Sequence, residues 1–111
     1  MENWSNELPF VAITVCDKDG KILDMNQRSQ MTFAKSGGKD LIGKSLFDCH
    51  PQRAQEMIKH LMNSEETNTE TIEKEGVKKL IYQTPWYQDG QFAGLVEMSI
   101  VIPNDIPHYK R

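Results

Sequence analysis

At 111 residues and a formal net charge of −3, the chain is long enough for one domain with a modest core and too short for two. No stretch clusters Lys and Arg into the basic surface that nucleic-acid binding needs. The apolar runs are too short for a transmembrane helix, and "MENWSNELPF" lacks the features of an export signal. We therefore expect a cytoplasmic protein that binds neither nucleic acid nor membrane.

The cysteines predict the absence of a disulfide, and the polar chain ends bound the expected domain. Cys16 and Cys49 are too few for a disulfide framework and do not form a CxxC pair, which predicts two reduced thiols. Residues 1–7 and 103–111 read as polar tails, and Pro103 and Pro107 keep the second one irregular. The predicted single domain, 1–111, therefore has a core of about residues 8–102.

The first hairpin is predicted over residues 10–26. Its strands "FVAITVCD" and "KILDMN" are rich in β-branched and apolar residues. Between them lies "KDGK" (18–21), and Asp-Gly between extended runs indicates a type I′ turn, which needs positive φ at both central residues.

The middle of the chain, residues 27–64, has helical character. Asn26 is a suitable N-cap for "QRSQMTFAK", and "SGGKDLIGKSLF" predicts a loop with one or two helical turns. In "HPQRAQEMIKHLMNS", Pro51 suits the first turn, and we expect Asp48 or His50 to cap the helix. The apolar residues of this helix recur at helical spacing and predict one buried stripe: Ala54, Met57, Ile58, Leu61 and Met62.

Three further strands follow, joined by "KEGV" (74–77) and "QDGQ" (88–91). Proline has no N–H to donate to a neighbouring strand, so Pro85 restricts which strands can pair at its position. With Asp89-Gly90 as a two-residue turn, Trp86 pairs with Ala93 and Pro85 with Gly94, so Pro85 directs its nitrogen toward the preceding strand. There it faces about residue 66, where that strand has barely begun, and no ladder bond is lost. The order ββ–helices–βββ predicts an α+β fold with helices on one face of an antiparallel sheet.

Three stretches together resemble the PAS family: "AITVCDKDGKILDMN" (12–26), "LIGKSLFDCHP" (41–51) and "TPWYQDGQFAGLVEMSI" (84–100). The "DCHP" stretch is similar to a bacterial PAS subgroup. The resemblance covers about residues 8–102 and implies strand order 2-1-5-4-3, which agrees with the position of Pro85. It also implies a sensory or interaction module that binds haem, flavin or a small metabolite between helices and sheet, or that binds nothing and mediates association.

The resemblance also selects the inner face of the sheet, which periodicity alone leaves open because both faces are half apolar. Alignment through Gly94 implies that Gln83 and Val96 point inward, together with Thr14 and Cys16. We expect Gln83 to give polar specificity, since an amide both donates and accepts. The ligand pocket is predicted from these residues: Met31, Phe33, Ile42, Phe47, His50, Met57, Leu61, Ile81, Gln83, Val96 and Met98.

The other face would then hold Glu97 and Ser99 and expose Leu80, Tyr82, Trp86 and Leu95. An apolar patch of this kind on a small domain indicates an interface, and we expect a homodimer through it. A fold-back of "ENWSNEL" over the patch is the alternative. The main hypothesis is a sensor that binds an unidentified small molecule and dimerises, with a signalling protein as a further possible partner. A ligand-free dimerisation module is the second hypothesis.

His50 carries the third hypothesis, a haem-based gas or redox sensor, because imidazole can ligate haem iron. Haem and flavin are not favoured. His50 separates Cys49 from Pro51, which removes the Cys-Pro dipeptide of many regulatory haem sites, and "DCHPQRAQ" lacks the flavin-linked cysteine motif of LOV domains. The histidines and cysteines show no metal-site spacing. The expected inner face lacks an acid–base pair with an orienting partner, so we expect neither a metal site nor an enzyme.

Overall fold

The computed structural model describes residues 3–111 and confirms the predicted α+β fold. Its five-stranded antiparallel sheet has the order β2-β1-β5-β4-β3, with short helices packed on one face. The strands are β1 (Val11–Asp17), β2 (Ile22–Met25), β3 (Asn68–Lys74), β4 (Val77–Gln88) and β5 (Gln91–Ile102). The α-helices are α1 (Asn3–Asn6), α2 (Gln27–Thr32) and α3 (Gln52–Ser64). Three 3-10 segments between α2 and α3 comprise Ala34–Ser36, Gly38–Leu41 and Leu46–Cys49.

The three hairpins use two kinds of turn. Glu75-Gly76 and Asp89-Gly90 have positive φ at both residues, as the type I′ geometry requires. In the first hairpin only Gly20 has positive φ. There the Asp17 carboxylate accepts hydrogen bonds from the backbone N–H groups of Asp19 and Lys21, so an Asp side chain organises the turn.

Asn26 connects the first hairpin to two helices. Its Oδ1 accepts from the backbone N–H of Ser29, which confirms the predicted N-cap of α2, and also from the N–H of Ile13. Its Nδ2 donates to the carbonyls of Ser5 and Val11. The side chain is fully buried with its amide and carbonyl both hydrogen-bonded, so it holds β1, α1 and α2 together without an unsatisfied polar group.

The N-terminal segment is directed toward α2. Ser5 of α1 is fully buried, and Asn6 accepts a hydrogen bond from the backbone N–H of Gln27. These contacts lie at the start of α2, which is not the place expected if "ENWSNEL" covered the outer sheet face; Glu2 lies outside the described residues.

The hydrophobic core lies between the helices and the inner face at the β1–β2 end of the sheet. From α3 it receives Ile58 and Leu61, which are almost fully buried, whereas Met57 of the predicted stripe is 44% exposed. The core cluster comprises Cys16, Ile22, Met25, Leu41, Leu46, Ile58, Leu61 and Leu95. The polar part of the inner face lies beside it.

A β-bulge in β5 changes the predicted register. Gln88 pairs with Gln91 and Tyr87 with Phe92, but Trp86 then pairs with Gly94 and Pro85 with Leu95, which leaves Ala93 as the extra residue. The predicted pairs Trp86–Ala93 and Pro85–Gly94 are therefore wrong by one residue. Because side chains alternate between faces, this shift moves every residue of β5 beyond the bulge to the face opposite the predicted one.

The bulge leaves the position of Pro85 relative to β3 unchanged. The register of β3 with β4 places Asn68 opposite Gln83, and β3 begins at Asn68. Pro85 therefore lies beyond the end of its neighbour, and its missing N–H removes no ladder bond. Within residues 3–111, no helix is long and apolar enough to cross a membrane.

Candidate ligand-binding cavity and outer sheet face

A cavity of about 350 Å³ lies between the inner face of the sheet and the helical segments. This volume is at the lower end of the range for small-molecule sites. The cavity is bordered by residues of β1, α2, α3 and the last three strands: Ala12, Thr14, Ser29, Thr32, Phe33, His50, Ala54, Ile72, Lys74, Lys79, Ile81, Gln83, Glu97, Met98 and Ser99. A larger groove of about 500 Å³ lies between the first and last hairpin turns, but it is more open and is lined by Asp17, Trp86 and Asp89 among others. The inner cavity is the better candidate because buried polar groups converge on it.

Glu97 is at the centre of these polar groups. The bulge turns it inward, opposite Gln83 on β4 and Thr14 on β1. One carboxylate oxygen lies 3.3 Å from His50 Nε2, and the other accepts a 2.8 Å hydrogen bond from Gln83 Nε2. Gln83 Oε1 in turn accepts from Asn68 Nδ2 at 2.8 Å. Three strands and the residues before α3 are thus joined by one chain of side-chain hydrogen bonds.

Both ring nitrogens of His50 make polar contacts in this arrangement. Its Nδ1 lies 2.9 Å from the Leu46 carbonyl, which can only accept, so Nδ1 carries a proton. Its Nε2 faces the Glu97 carboxylate, so a second proton lies between the two groups. The side chains of His50 and Glu97 are only 13% and 12% exposed. The geometry is that of a buried ion pair whose remaining ring N–H is satisfied by the backbone.

The pKa shifts of the two groups follow from this geometry. Burial lowers the pKa of His50, but its contacts with Cys49, Glu97 and the Leu46 carbonyl outweigh that cost and raise it well above the ordinary value. Burial raises the pKa of Glu97, but the hydrogen bond and charge of His50 and the hydrogen bond from Gln83 lower it overall. Both groups are charged at neutral pH.

The predicted helix cap is wrong. Helix α3 begins at Gln52, and its N-cap is Pro51, with no side-chain hydrogen bond at the cap. His50 instead contacts Glu97, and Phe33 lies beside its ring with the two ring centroids 5.7 Å apart. Because both ring nitrogens are engaged, this arrangement does not fit an axial haem ligand.

Four of the eleven predicted pocket residues border the cavity as expected: Phe33, His50, Ile81 and Gln83. Met98 also borders it, but its pairing with Ile13 and Tyr82 places its side chain on the outer face. Val96 lies on that outer face too, opposite Thr84, so its predicted inward position is wrong.

The remaining predicted pocket residues lie elsewhere. Met31 is 61% exposed on α2, Ile42 is 37% exposed, and Met57 borders only a shallow groove on α3. Leu61 is buried in the core, and Phe47 packs against it, with its ring over the position where Gly20 lacks a side chain. The sequence pattern of the helical segment did not predict which of its side chains reach the sheet.

Glu97 and Ser99 are the main inward-facing residues that the sequence reasoning assigned to the wrong face. The signal that could have found them is Gly94, since a glycine inside a strand often marks a bulge. Its φ is +150°, and an added Cβ would overlap the Cys16 carbonyl oxygen. Trp86 extends across this glycine and donates from Nε1 to the same Cys16 carbonyl at 3.0 Å.

The outer face of the sheet is apolar across its three central strands. Pairs that share this face are Leu80 with Ile100, Tyr82 with Met98, and Val15 with Val96. All of these side chains are half-buried within the chain. Of the predicted interface residues, Leu80, Tyr82 and Trp86 lie on this face. The placement of Leu95 was wrong, because the bulge turns it inward, where it is 1% exposed in the core.

The two thiols have different surroundings. Burial is the main cause that raises the pKa of Cys16 to about 11, so it stays a protonated thiol. Cys49 donates to the Leu46 carbonyl and lies 3.3 Å from His50 Nδ1. Over residues 3–111, three or more His, Cys, Asp or Glu side chains nowhere converge as a metal site would require.

Comparison with known proteins agrees with this fold. The family model described as the PAS fold matches residues 6–104. The PAS domain of histidine kinase ThkA is 19% identical, with a TM-score of 0.67 over 82% of this chain and 98% of that one. The PAS domain of Bordetella pertussis BvgS is 22% identical, with a TM-score of 0.64 over 91% of this chain and 82% of that one.

A third similar structure is VqmA bound to DPO, which is 14% identical, with a TM-score of 0.66 over 87% of this chain and 54% of that one. At these identities the structures show a common fold and no more. No curated protein sequence matches the chain. The family match spans nearly all of the chain, and the strand order and helical cover agree with it: this chain belongs to the PAS fold family.

Proposed function

We propose that this PAS domain is a sensory module that binds a small molecule in the inner cavity and is not an enzyme. PAS domains are typically sensory, non-catalytic modules. The observation that carries the proposal is the convergence of His50, Glu97 and Gln83 on a cavity of about 350 Å³. A buried ion pair beside a cavity is costly to maintain for stability alone, because well-packed apolar residues serve as well or better. Its polar atoms would orient a ligand.

Two further features support binding. The remaining walls are apolar, with Phe33, Ile81 and Ala54 among them, and can contact the body of a ligand. VqmA, which has a similar fold, is described as bound to DPO. A catalytic role has less support. His50 and Glu97 are paired with each other, so neither is a free acid or base next to a nucleophile.

The outer sheet face supports the second part of the proposal, a homodimer. Leu80, Tyr82 and Trp86 lie there with Val96 and Met98, on strands at the centre of the sheet. An apolar face made by central strands is suited to a second copy of itself, since an isologous contact buries the same patch on both subunits. A ligand-free dimerisation module would use this face and leave the cavity without a ligand.

A matched pair of variants tests the cavity. Ile81→Trp adds bulk inside it, and Tyr82→Trp introduces the same residue one position away on the outer face. The wild type and both variants would be compared by thermal shift against a metabolite library and by native mass spectrometry with an absorption spectrum. A true ligand at about 100 times its Kd should raise the Tm by about 10 °C.

We expect ligand-induced shifts in the wild type and in Tyr82→Trp, and their loss in folded Ile81→Trp. Shifts that persist in Ile81→Trp would place the ligand elsewhere. A wild type that neither shifts nor carries a bound mass would favour the ligand-free dimerisation module.

A further inference from the structure

Along the cavity, the inner face of β4 carries a cationic, an apolar and an amide side chain in succession. Lys79, Ile81 and Gln83 alternate onto this face, and all three border the cavity. On β5, Ser99 lies opposite Ile81, and Glu97 lies opposite Gln83. At the strand rise per residue, Lys79 and Gln83 are separated by about 13 Å along the strand. The cavity is therefore a trough with a cationic end, an apolar middle and an acceptor end.

The cationic end contains two lysines. Lys79 is half-buried, and Lys74, across the β3–β4 hairpin, also borders the cavity. Among residues 3–111, no carboxylate lies within ion-pairing distance of either lysine. The groove that continues from this end is lined by Arg28 as well as both lysines, with Glu75 as its one acidic residue. An anionic group at this end would meet an excess of positive charge.

The other end offers acceptors. Each oxygen of Glu97 accepts from one protein donor, His50 or Gln83, but an ionised carboxylate has about four acceptor positions. Both ring N–H groups of His50 are already used, by Leu46 and Glu97. The free hydrogen-bonding capacity of Glu97 therefore favours a ligand group that donates, such as a hydroxyl or an amine, and disfavours a second carboxylate.

We propose that the ligand is a small organic acid with an apolar body and a hydrogen-bond donor at the end opposite its carboxylate. The carboxylate lies between Lys74 and Lys79, the body packs on Ile81 and Phe33, and the donor hydrogen-bonds to Glu97. This inference rests on the proposed function and names the ligand class of the same cavity.

Three matched probes separate the two polar ends. The first is 3-(4-hydroxyphenyl)propanoate, which has both features. The second, 3-phenylpropanoate, lacks the donor, and the third, 3-(4-hydroxyphenyl)propanamide, lacks the charge. Isothermal titration of the full chain should give the tightest binding for the first. Loss of either feature should weaken binding about fivefold, the effect of one partly exposed ion pair or one hydrogen bond.

Protein variants identify the cationic end. The double substitution Lys74→Gln with Lys79→Gln should weaken binding of the acid about fivefold and leave binding of the amide unchanged. Lys78→Gln is the matched control. Lys78 is next to Lys79 on β4, but its side chain lies on the outer face, opposite Glu73 and Ile102. The substitution removes one positive charge of β4 without altering the cavity.

The outcomes distinguish this inference from the proposed function. Equal affinities for acid and amide, an equal loss in Lys78→Gln, or no binding of any probe up to about 10 mM would overturn the ligand class. Ligand shifts that Ile81→Trp abolishes would still support the cavity as a binding site. If Ile81→Trp leaves all binding intact, the proposed function fails as well.

Discussion

The two faces of strands β4 and β5 differ although they are built from the same residues in alternation. The inner face contains Gln83, Glu97 and Ser99 beside a cavity, and the outer face contains Tyr82, Val96 and Met98. Charge is buried on the inner face and paired with His50, whereas the outer face is apolar and half-exposed. An ordinary protein would show the reverse distribution. This reversal is the basis of both proposals, a ligand on the inner face and a second copy of the chain on the outer face.

The bulge at Ala93 and Gly94 decides which side chains lie on which face, and Gly94→Ala should have the largest effect. An added Cβ would overlap the Cys16 carbonyl oxygen, at a φ of +150° that alanine rarely adopts. We expect a loss of about 4 kcal/mol or more in the free energy of unfolding, measured by urea denaturation.

Gly90→Ala is the matched control for this substitution. Gly90 also has positive φ, but nothing lies within 4 Å of an added Cβ there, so we expect a loss of about 1 kcal/mol. Similar losses in the two variants would mean that backbone conformation alone, and not the close approach to β1, makes Gly94 necessary.

The fold was largely predictable from sequence because its signals are local. The Glu-Gly and Asp-Gly turns, the cap at Asn26 and the position of Pro85 each depend on neighbours along the chain. The strand order came from the family resemblance and agreed with Pro85. The side of the sheet on which Glu97 lies depends instead on one inserted residue at Ala93. One residue is enough to reverse a face, since strand side chains have a period of two.

The candidate site was less predictable for a second physical reason. His50 and Glu97 are 47 positions apart in the numbering, and no local pattern states that the loop before α3 reaches β5. A helix cap was the reasonable local expectation for Asp48 or His50. Pairing with the buried Glu97 carboxylate replaces that local role for His50, because a desolvated charge gains more from a paired cation than the helix end gains from a cap.

The ion pair of the inner face should give the next largest effect. His50→Gln removes the cation and leaves Glu97 buried with a neutral partner, so we expect a loss of about 2 kcal/mol near pH 6. In the wild type, the raised pKa of His50 gives stability that is fully present below its unfolded pKa of 6.5 and is lost as the pH rises from there through its folded pKa of about 10. The lowered pKa of Glu97 gives stability that is present above 4.5 and is lost as the pH falls below it.

The stability difference between wild type and His50→Gln should therefore be largest between about pH 4.5 and 6.5 and shrink toward alkaline pH. Urea titrations at several pH values measure it. His60→Gln is the control, because His60 faces Glu66 at 3.5 Å with 63% of its side chain exposed and should change stability by less than about 0.5 kcal/mol. A constant difference across the pH range would contradict the charged state assigned to His50.

The outer face should give the smallest effect on the folding of one chain and a large one on association. Val96→Lys places a charge at the centre of the apolar face, where the stem can lie along the sheet and the ammonium can reach water. We expect the monomer to lose less than about 1 kcal/mol, and the proposed dimer to weaken at least tenfold, measured by sedimentation equilibrium.

Thr71→Lys places the same charge on the same face, but on the edge strand β3, opposite Leu80. It should leave the dimer nearly unchanged if the contact is centred on β5 and β4. Equal weakening by both substitutions would extend the contact to the sheet edge. A wild type that stays monomeric at high concentration would overturn the proposed homodimer and leave the apolar outer face to a different protein, whereas the proposed ligand binding depends on the inner face alone and needs no second copy.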